Sequence, residues 1–136
     1  CVLGDNNILV DNSALAGHVR LGDYVTLGGY TLVHQFCVLG SYSFTGMGSL
    51  ISMDVPAFTR VAGNPIKQAG LNSIGLERKS FTKEQISNLK KAYKIFFREG
   101  LRSEDALEKI SNECQQDENI EIFVDSIKSS SRGVLR

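Results

Sequence analysis

Tryptophan is absent from the 136-residue sequence, and proline and histidine occur only twice each, cysteine three times. Each scarcity excludes something. Cys1, Cys37 and Cys114 are odd in number, widely spaced and without a Cys-x-x-Cys pair. That argues against a disulfide framework or a zinc knuckle and for free thiols in a reducing compartment. Cys37 reads as a small buried residue. His18 and His34 are the available imidazoles, and no acidic ligand cluster stands near them. A zinc site wants three or four ligands, so no metal is expected. Net charge is also missing, with 15 basic against 15 acidic side chains, which removes the bulk electrostatic argument for nucleic acid. No apolar run approaches the roughly 20 residues of a membrane-spanning helix, and no signal-peptide pattern is present, so a soluble chain without a membrane span is expected.

What the sequence has in excess is glycine, thirteen residues of it, ten within the first 70. Charge is segregated as well: residues 1–59 carry a net −3, residues 60–102 a net +7 and residues 103–136 a net −4. Both shifts place a boundary near residue 70, with a basic band across it. The length suits one ordinary domain, or a small one with an appendage.

Every sixth residue from Leu3 reads Leu3, Leu9, Leu15, Leu21, Leu27, Val33, Leu39, Thr45, Ile51 and Ala57. Four positions further on stand Asn7, Ser13, Val19, Val25, Thr31, Cys37, Ser43, Ser49, Val55 and Val61, nearly all small. A period of six fits neither a helix at 3.6 nor an alternating strand at 2. It fits a chain wound as a three-sided prism, with one short strand and one turn per side and three hexads per coil. The aliphatic residue points inward, and Gly4, Gly22, Gly28, Gly40 and Gly46, each following it, are expected to supply the turn conformations. After Gly63-Asn64-Pro65 helical spacing begins. It predicts a short helical turn over 71–78, then a helix opened by the Thr82/Gln85 capping box and ended by Gly100. Two more helices follow, from Ser103 to about Cys114 and from about Asp117 to Ser129. The expected architecture is a truncated left-handed parallel β-helix of hexapeptide repeats over residues 1–69, about three coils, then a small α-helical C-terminal domain over 70–136 that caps the last coil. The register is already in phase by residue 3 and the first residue is Cys, so a fragment of a longer protein is expected.

His18 and His34 are 16 residues apart, which places them on one prism side in adjacent coils. They read either as surface or interface histidines or as a proton-relay group beside an acyl-transfer crevice. Gln35 can donate and accept at once, as recognition of an amide or pyrophosphate requires; the alternative is a solvated face. Lys83, Lys90 and Lys94, preceded by Arg78 and Lys79, form a basic row that is either a solvated face or a surface for phosphates or an acidic carrier protein.

The run LAGHVRLGDYVTLGGYTLVHQFCVLG, with DVPAFTRVAGNP, GLNSIGLERKSFT and SRGVLR, closely resembles the acyl-[acyl-carrier-protein]–UDP-N-acetylglucosamine O-acyltransferase family over the whole chain. The resemblance implies a cytoplasmic homotrimer with active sites between subunits. It implies transfer of an R-3-hydroxyacyl chain from acyl carrier protein to the 3-hydroxyl of UDP-N-acetylglucosamine, the first step of lipid A biosynthesis in Gram-negative bacteria, without metal or organic cofactor. Carried over by motif, His18 assists in the crevice, and Gly29 contributes a backbone group near the thioester carbonyl. His34 and Gln35 line the crevice toward the nucleotide sugar, and Asn72 and Arg78 contact the nucleotide. Lys79, Lys83, Lys90 and Lys94 dock the carrier protein. The family's general-base histidine sits in an A-H-D-C segment whose cysteine is Cys1 here, so that base precedes this chain and the chain alone is expected to be inactive. Met47 stands where members using hydroxymyristoyl chains have glycine, which implies a shorter, hydroxydecanoyl-class chain; alternatively Met47 fills core space beside the undersized Thr45. Three alternatives remain open: a UDP-3-O-acylglucosamine N-acyltransferase, a non-catalytic trimeric carrier-binding module for the isolated chain, and a zinc-dependent hexad enzyme.

Overall fold

The computed structural model describes residues 1–131 and 133–136; Arg132, within the SRGVLR segment, lies outside the described residues. Residues 2–51 form strands two residues long, three per coil: β1 (Val2–Leu3), β2 (Ile8–Leu9), β3 (Ala14–Leu15), β4 (Arg20–Leu21), β5 (Thr26–Leu27), β6 (Leu32–Val33), β7 (Val38–Leu39), β8 (Phe44–Thr45) and β9 (Leu50–Ile51). Each of β1 to β6 pairs in parallel with the strand a coil later, as in Leu3 opposite Leu21 and Leu21 opposite Leu39. The three resulting sheets are the faces of the prism: face 1 is β1-β4-β7, face 2 contains β2-β5-β8, and face 3 is β3-β6-β9. Corner amides continue the ladders, Gly4 N donating to Leu21 O at 2.9 Å and Gly22 N to Leu39 O at 2.9 Å. The parallel solenoid of about three turns is the expected one.

Its interior is the hexad stripe, with Leu21, Leu27, Val33, Leu39 and Ile51 packed against Val19, Val25, Cys37, Val55 and Val61. Leu3 and Leu9 share the register but lie at the open end of the prism, where no coil covers them, and are exposed.

The glycines do a different job from the expected one. None of Gly4, Gly22, Gly28, Gly40 and Gly46 has a positive φ. The left-handed corner positions are Asn6, Asn12, His18, Tyr24, Tyr30, Phe36 and Tyr42, with φ between 57° and 66°. Such a conformation costs an ordinary residue roughly 1–2 kcal/mol. Stacking along the corner offsets it: Tyr24 lies 5.0 Å from Tyr42, Tyr42 lies 5.4 Å from Phe58, and His18 lies 4.7 Å from Phe36, all near-parallel. Each such pair contributes about 0.5–1.5 kcal/mol. The glycines instead let coils approach; a Cβ on Gly28 would sit 2.7 Å from Thr45 O.

Beyond the prism, β10 (Thr59–Ala62) pairs in parallel with β8 and in antiparallel with β11 (Lys67–Leu71), extending face 2. The sequence pattern does not predict β11. Lys67-Gln68-Ala69-Gly70-Leu71 has little strand preference, and the unpaired edge of β10 templates it. The strand crosses the expected boundary at residue 70. The helices follow as expected: α1 (Ser73–Arg78), α2 (Lys83–Arg98), α3 (Ser103–Glu113) and α4 (Glu118–Lys128). Thr82 and Gln85 make the reciprocal capping box at 3.1 and 2.8 Å. Ile86, Leu89, Phe96, Ile110, Ile120 and Phe123 form a second core, closed on the prism by Ala57 and Phe58.

The helical segment meets the last coil, where Ala57 N donates to Ser126 Oγ of α4 at 2.9 Å. The chain after α4 returns to Asp54: Leu135 N donates to Asp54 O at 2.8 Å, and Leu135 enters the prism core. Asp54 is buried, and its carboxylate accepts from Val38 N at 2.8 Å and Ser130 Oγ at 2.6 Å.

Candidate functional site

The corner between faces 3 and 1 carries His18 and Phe36 at its left-handed turns, a coil apart. Their rings stack within 3° of parallel, which fixes the imidazole plane. His34 and Gln35 belong to the same corner, immediately before Phe36, and both are exposed. A shallow cavity of ≈ 240 Å³ opens there, lined by His18, Arg20, Phe36 and Val38 together with Cys1 and Val2. The spacing of the two histidines thus does bring them to one edge in adjacent coils. That edge offers an imidazole of fixed plane, a second imidazole and a carboxamide, a set able to accept a proton and hold a hydroxylated ligand.

Gly29 and Met47 occupy a second edge, between faces 2 and 3. A Cβ on Gly29 would lie 4.0 Å from Met47 Cγ and 3.6 Å from Asp11 O, in ordinary van der Waals contact with its neighbours. Among the described residues the Gly29 N–H has no acceptor, while its carbonyl accepts from Gly48 N at 2.8 Å. Met47 is 81% exposed. It is therefore not core filler for Thr45, and that alternative is overturned. Thr45 completes its own inward position by hydrogen bonding, its Oγ1 accepting from Gly28 N at 3.2 Å and meeting Thr31 Oγ1 at 3.0 Å.

Asn72 and Arg78 lie against face 2. Asn72 precedes α1, and its Nδ2 donates to Tyr42 O at 2.9 Å, tying the helix to the solenoid corner. A Cβ on Gly75 would come 2.5 Å from that amide nitrogen, so a side chain at this position would displace the Asn72 carboxamide. Between α1 and the sheet runs a groove of ≈ 360 Å³ with Ile8, Thr26 and Phe44 as floor and Arg60, Arg78 and Lys79 as cations. Arg60 escapes the sequence reading because it is one of many cations in the basic band; its outward place on the sheet face was not legible there. Tyr42, at the corner beside the groove, has its phenol raised above the usual range, by burial first and then by Tyr24 and Asp23, so it stays a neutral hydrogen-bonding group.

The lysines divide. Lys79 leaves the row and lies over the Tyr24 ring, 4.9 Å from its centroid. Lys83 and Lys90 rim a groove of ≈ 430 Å³ floored by Phe81 and Ile86. Lys94 is exposed further along α2. Among the described residues, ion pairs join Lys109 to Glu99 and Glu113, leaving the α2 lysines without carboxylate partners within 4.0 Å. Among the described residues no three His, Cys, Asp or Glu side chains gather as metal ligands, and no helix is long and apolar enough to cross a membrane.

The sites therefore fall on separate parts of the chain: two imidazoles and Gln35 on one edge, Gly29 and Met47 on another, Asn72 and Arg78 on a face. Comparison with known proteins gives the same direction. Residues 54–135 match the family model described as UDP-N-acetylglucosamine O-acyltransferase, domain 2. The acyl-[acyl-carrier-protein]–UDP-N-acetylglucosamine O-acyltransferase of Ectopseudomonas mendocina is 47% identical over 99% of this chain and 52% of its own length. Among solved structures, LpxA from Acinetobacter baumannii superposes with a TM-score of 0.95 at 42% identity, over 100% of this chain and 53% of that one. The Arabidopsis UDP-N-acetylglucosamine acyltransferase does so with a TM-score of 0.95 at 35% identity, over 100% and 51%. The chain spans about half the length of the curated relatives it matches.

Proposed function

The chain belongs to the UDP-N-acetylglucosamine O-acyltransferase family, and on that premise we propose that the full-length polypeptide transfers an R-3-hydroxyacyl chain from acyl carrier protein to the 3-hydroxyl of UDP-N-acetylglucosamine, opening lipid A biosynthesis in the cytoplasm. The observation that carries this reading is the groove on face 2, where Asn72, Arg78 and Lys79 surround an apolar floor. It suits an anionic nucleotide sugar. The separation of the remaining groups onto two edges supports a homotrimer in which an edge of one protomer meets the face of the next. The exposed apolar residues Leu32 and Leu50 on face 3 suit such a contact.

In this reading the attacking group is the sugar hydroxyl and the electrophile is the thioester carbonyl. A base removes the hydroxyl proton as the C–O bond forms, and the tetrahedral oxyanion collapses to expel the carrier thiolate. In this reading the base is a histidine. His18, its plane fixed by Phe36, assists; the unpaired Gly29 N–H faces the acyl carbonyl; His34 and Gln35 hold the sugar; Arg78 pairs with phosphate. The α2 lysines and the groove beside them receive the acidic carrier protein.

The test is an acyl-transfer assay of the full-length polypeptide with R-3-hydroxyacyl carrier protein. Turnover is expected with UDP-N-acetylglucosamine and not with the 3-O-acylated glucosamine derivative; the reverse preference makes the enzyme an N-acyltransferase. Arg78→Ala is expected to raise the KM for the nucleotide sugar about tenfold with kcat nearly unchanged, the pattern of a lost ground-state contact. An unaltered KM takes Arg78 out of the site. Sedimentation of the full-length protein is expected to give a trimer, and a monomer alone would leave the separated edges without a way to meet.

A further inference from the structure

Arg60 is the cation on face 2 that the proposed mechanism does not use. It is the outward residue of β10, opposite Phe44 on β8 and Gly70 on β11, with a bulge between it and Val61. Gly70 puts no side chain beside it, so the guanidinium is free to lean toward α1. There it lines two adjoining depressions: the groove it shares with Asn72, Ile74 and Arg78, and a smaller one of ≈ 190 Å³ bounded by Leu71, Asn72, Ser73 and Ile74. Among the described residues neither Arg60 nor Arg78 has a carboxylate within 4.0 Å. Two unneutralised guanidinium groups thus converge on one half-enclosed groove, one from the sheet and one from the helix. Lys79 contributes less to that charge, because it is already engaged over the Tyr24 ring.

Guanidinium groups are held apart in water by their mutual repulsion unless an anion lies between them, and each binds a phosphate with a rigid fork of donors. A single phosphate can satisfy one fork fully and the second only in part. A diphosphate offers both an anionic centre. We propose that Arg60 is a specificity-determining residue of this groove, supplying the second guanidinium that makes it select a nucleoside diphosphate over the monophosphate. The inference rests on the nucleotide-sugar reading of the groove and adds to it the residue that reads the second phosphate.

Isothermal titration of the full-length protein with UDP and with UMP tests it, in the wild type and in Arg60→Ala, Arg60→Lys and Arg78→Ala. Arg60 is exposed, so its replacements are expected to fold with an unchanged melting temperature. Arg60→Ala is expected to weaken UDP about tenfold while moving UMP less than about twofold, with Arg60→Lys in between because it keeps the charge and loses the fork. Equal weakening of both ligands would overturn the selectivity role and reduce Arg60 to a source of general field. No change in either, with Arg78→Ala still weakening UDP, would overturn Arg60 alone and leave the groove standing. If neither Arg78→Ala nor Arg60→Ala alters UDP binding, the nucleotide reading of the groove itself falls.

Discussion

Gly40→Ala is expected to lower the stability of the protein by about 3 kcal/mol, and its melting temperature by roughly 10 °C. The reason is backbone, not side chain. A Cβ on Gly40 would lie 2.6 Å from Ala57 Cα and closer still to Ala57 N, and both Gly40 and Ala57 are fully enclosed. No rotamer relieves such a clash. The coils must separate locally, which stretches the Gly40 N to Val55 O bond of 2.8 Å and the Val55 N to Val38 O bond of 3.0 Å. Each of these contributes about 0.5–1.5 kcal/mol net. Gly17→Ala is the matched control. Nothing lies within 4 Å of its would-be Cβ and its φ is not positive, so it is expected to be neutral or slightly stabilising through the unfolded chain. Denaturant titration of the two variants decides the point. If Gly40→Ala is as stable as Gly17→Ala, the glycines after the hexad leucines are not spacers between coils.

That spacer role marks where the sequence was legible and where it was not. The inward stripe from Leu21 to Ile51 follows from a period that no other backbone satisfies, so it reads directly. The corners do not. A glycine-rich repeat suggests left-handed turns at glycine, because glycine alone adopts them freely. Here the left-handed residues are mostly aromatic, histidine or asparagine, and along two corners the strain is offset because rings a coil apart stack, Tyr24 on Tyr42 and His18 on Phe36. The stacking is a property of the wound chain, and only an 18-residue reading of Tyr24 against Tyr42 or of His18 against Phe36 would have shown it. β11 and Leu135 were hidden for a related reason. One is a strand imposed by its neighbour's edge, and the other is a single side chain with no periodicity, placed by backbone bonds to Asp54.

The candidate site shows the same division. A spacing of 16 residues in a coil of three hexads was enough to bring His18 and His34 to one edge. The capping box and the apolar stripe were enough to leave Lys83, Lys90 and Lys94 exposed on α2. Which groups share a groove depends on how α1 folds back on face 2. That closure is tied by the Asn72 to Tyr42 bond, which carries no pattern along the chain. Arg60 becomes visible only after that closure.

Met47→Gly in the full-length protein is expected to shift acyl selectivity from the hydroxydecanoyl toward the hydroxymyristoyl class by about two orders of magnitude. Four methylenes that find no groove forgo about 0.8 kcal/mol each, roughly 3 kcal/mol in all, and discrimination between chains is that difference expressed in kcat/KM. The structure strengthens the reading by removing the competing one. A methionine with 81% of its surface exposed on the protomer supports no core, so its removal is expected to leave the melting temperature within about 1–2 °C. It stands on the edge that also carries Gly29, a coil apart, its Cγ 4.0 Å from where a Cβ on that glycine would lie. Selectivity should therefore change without a loss of turnover on the longer substrate. The measurement is kcat/KM for the two acyl carrier protein thioesters in wild type and variant. An unchanged ratio would take Met47 off the acyl path, whereas a lower ratio with a collapsed melting temperature would show that Met47 acts through the fold.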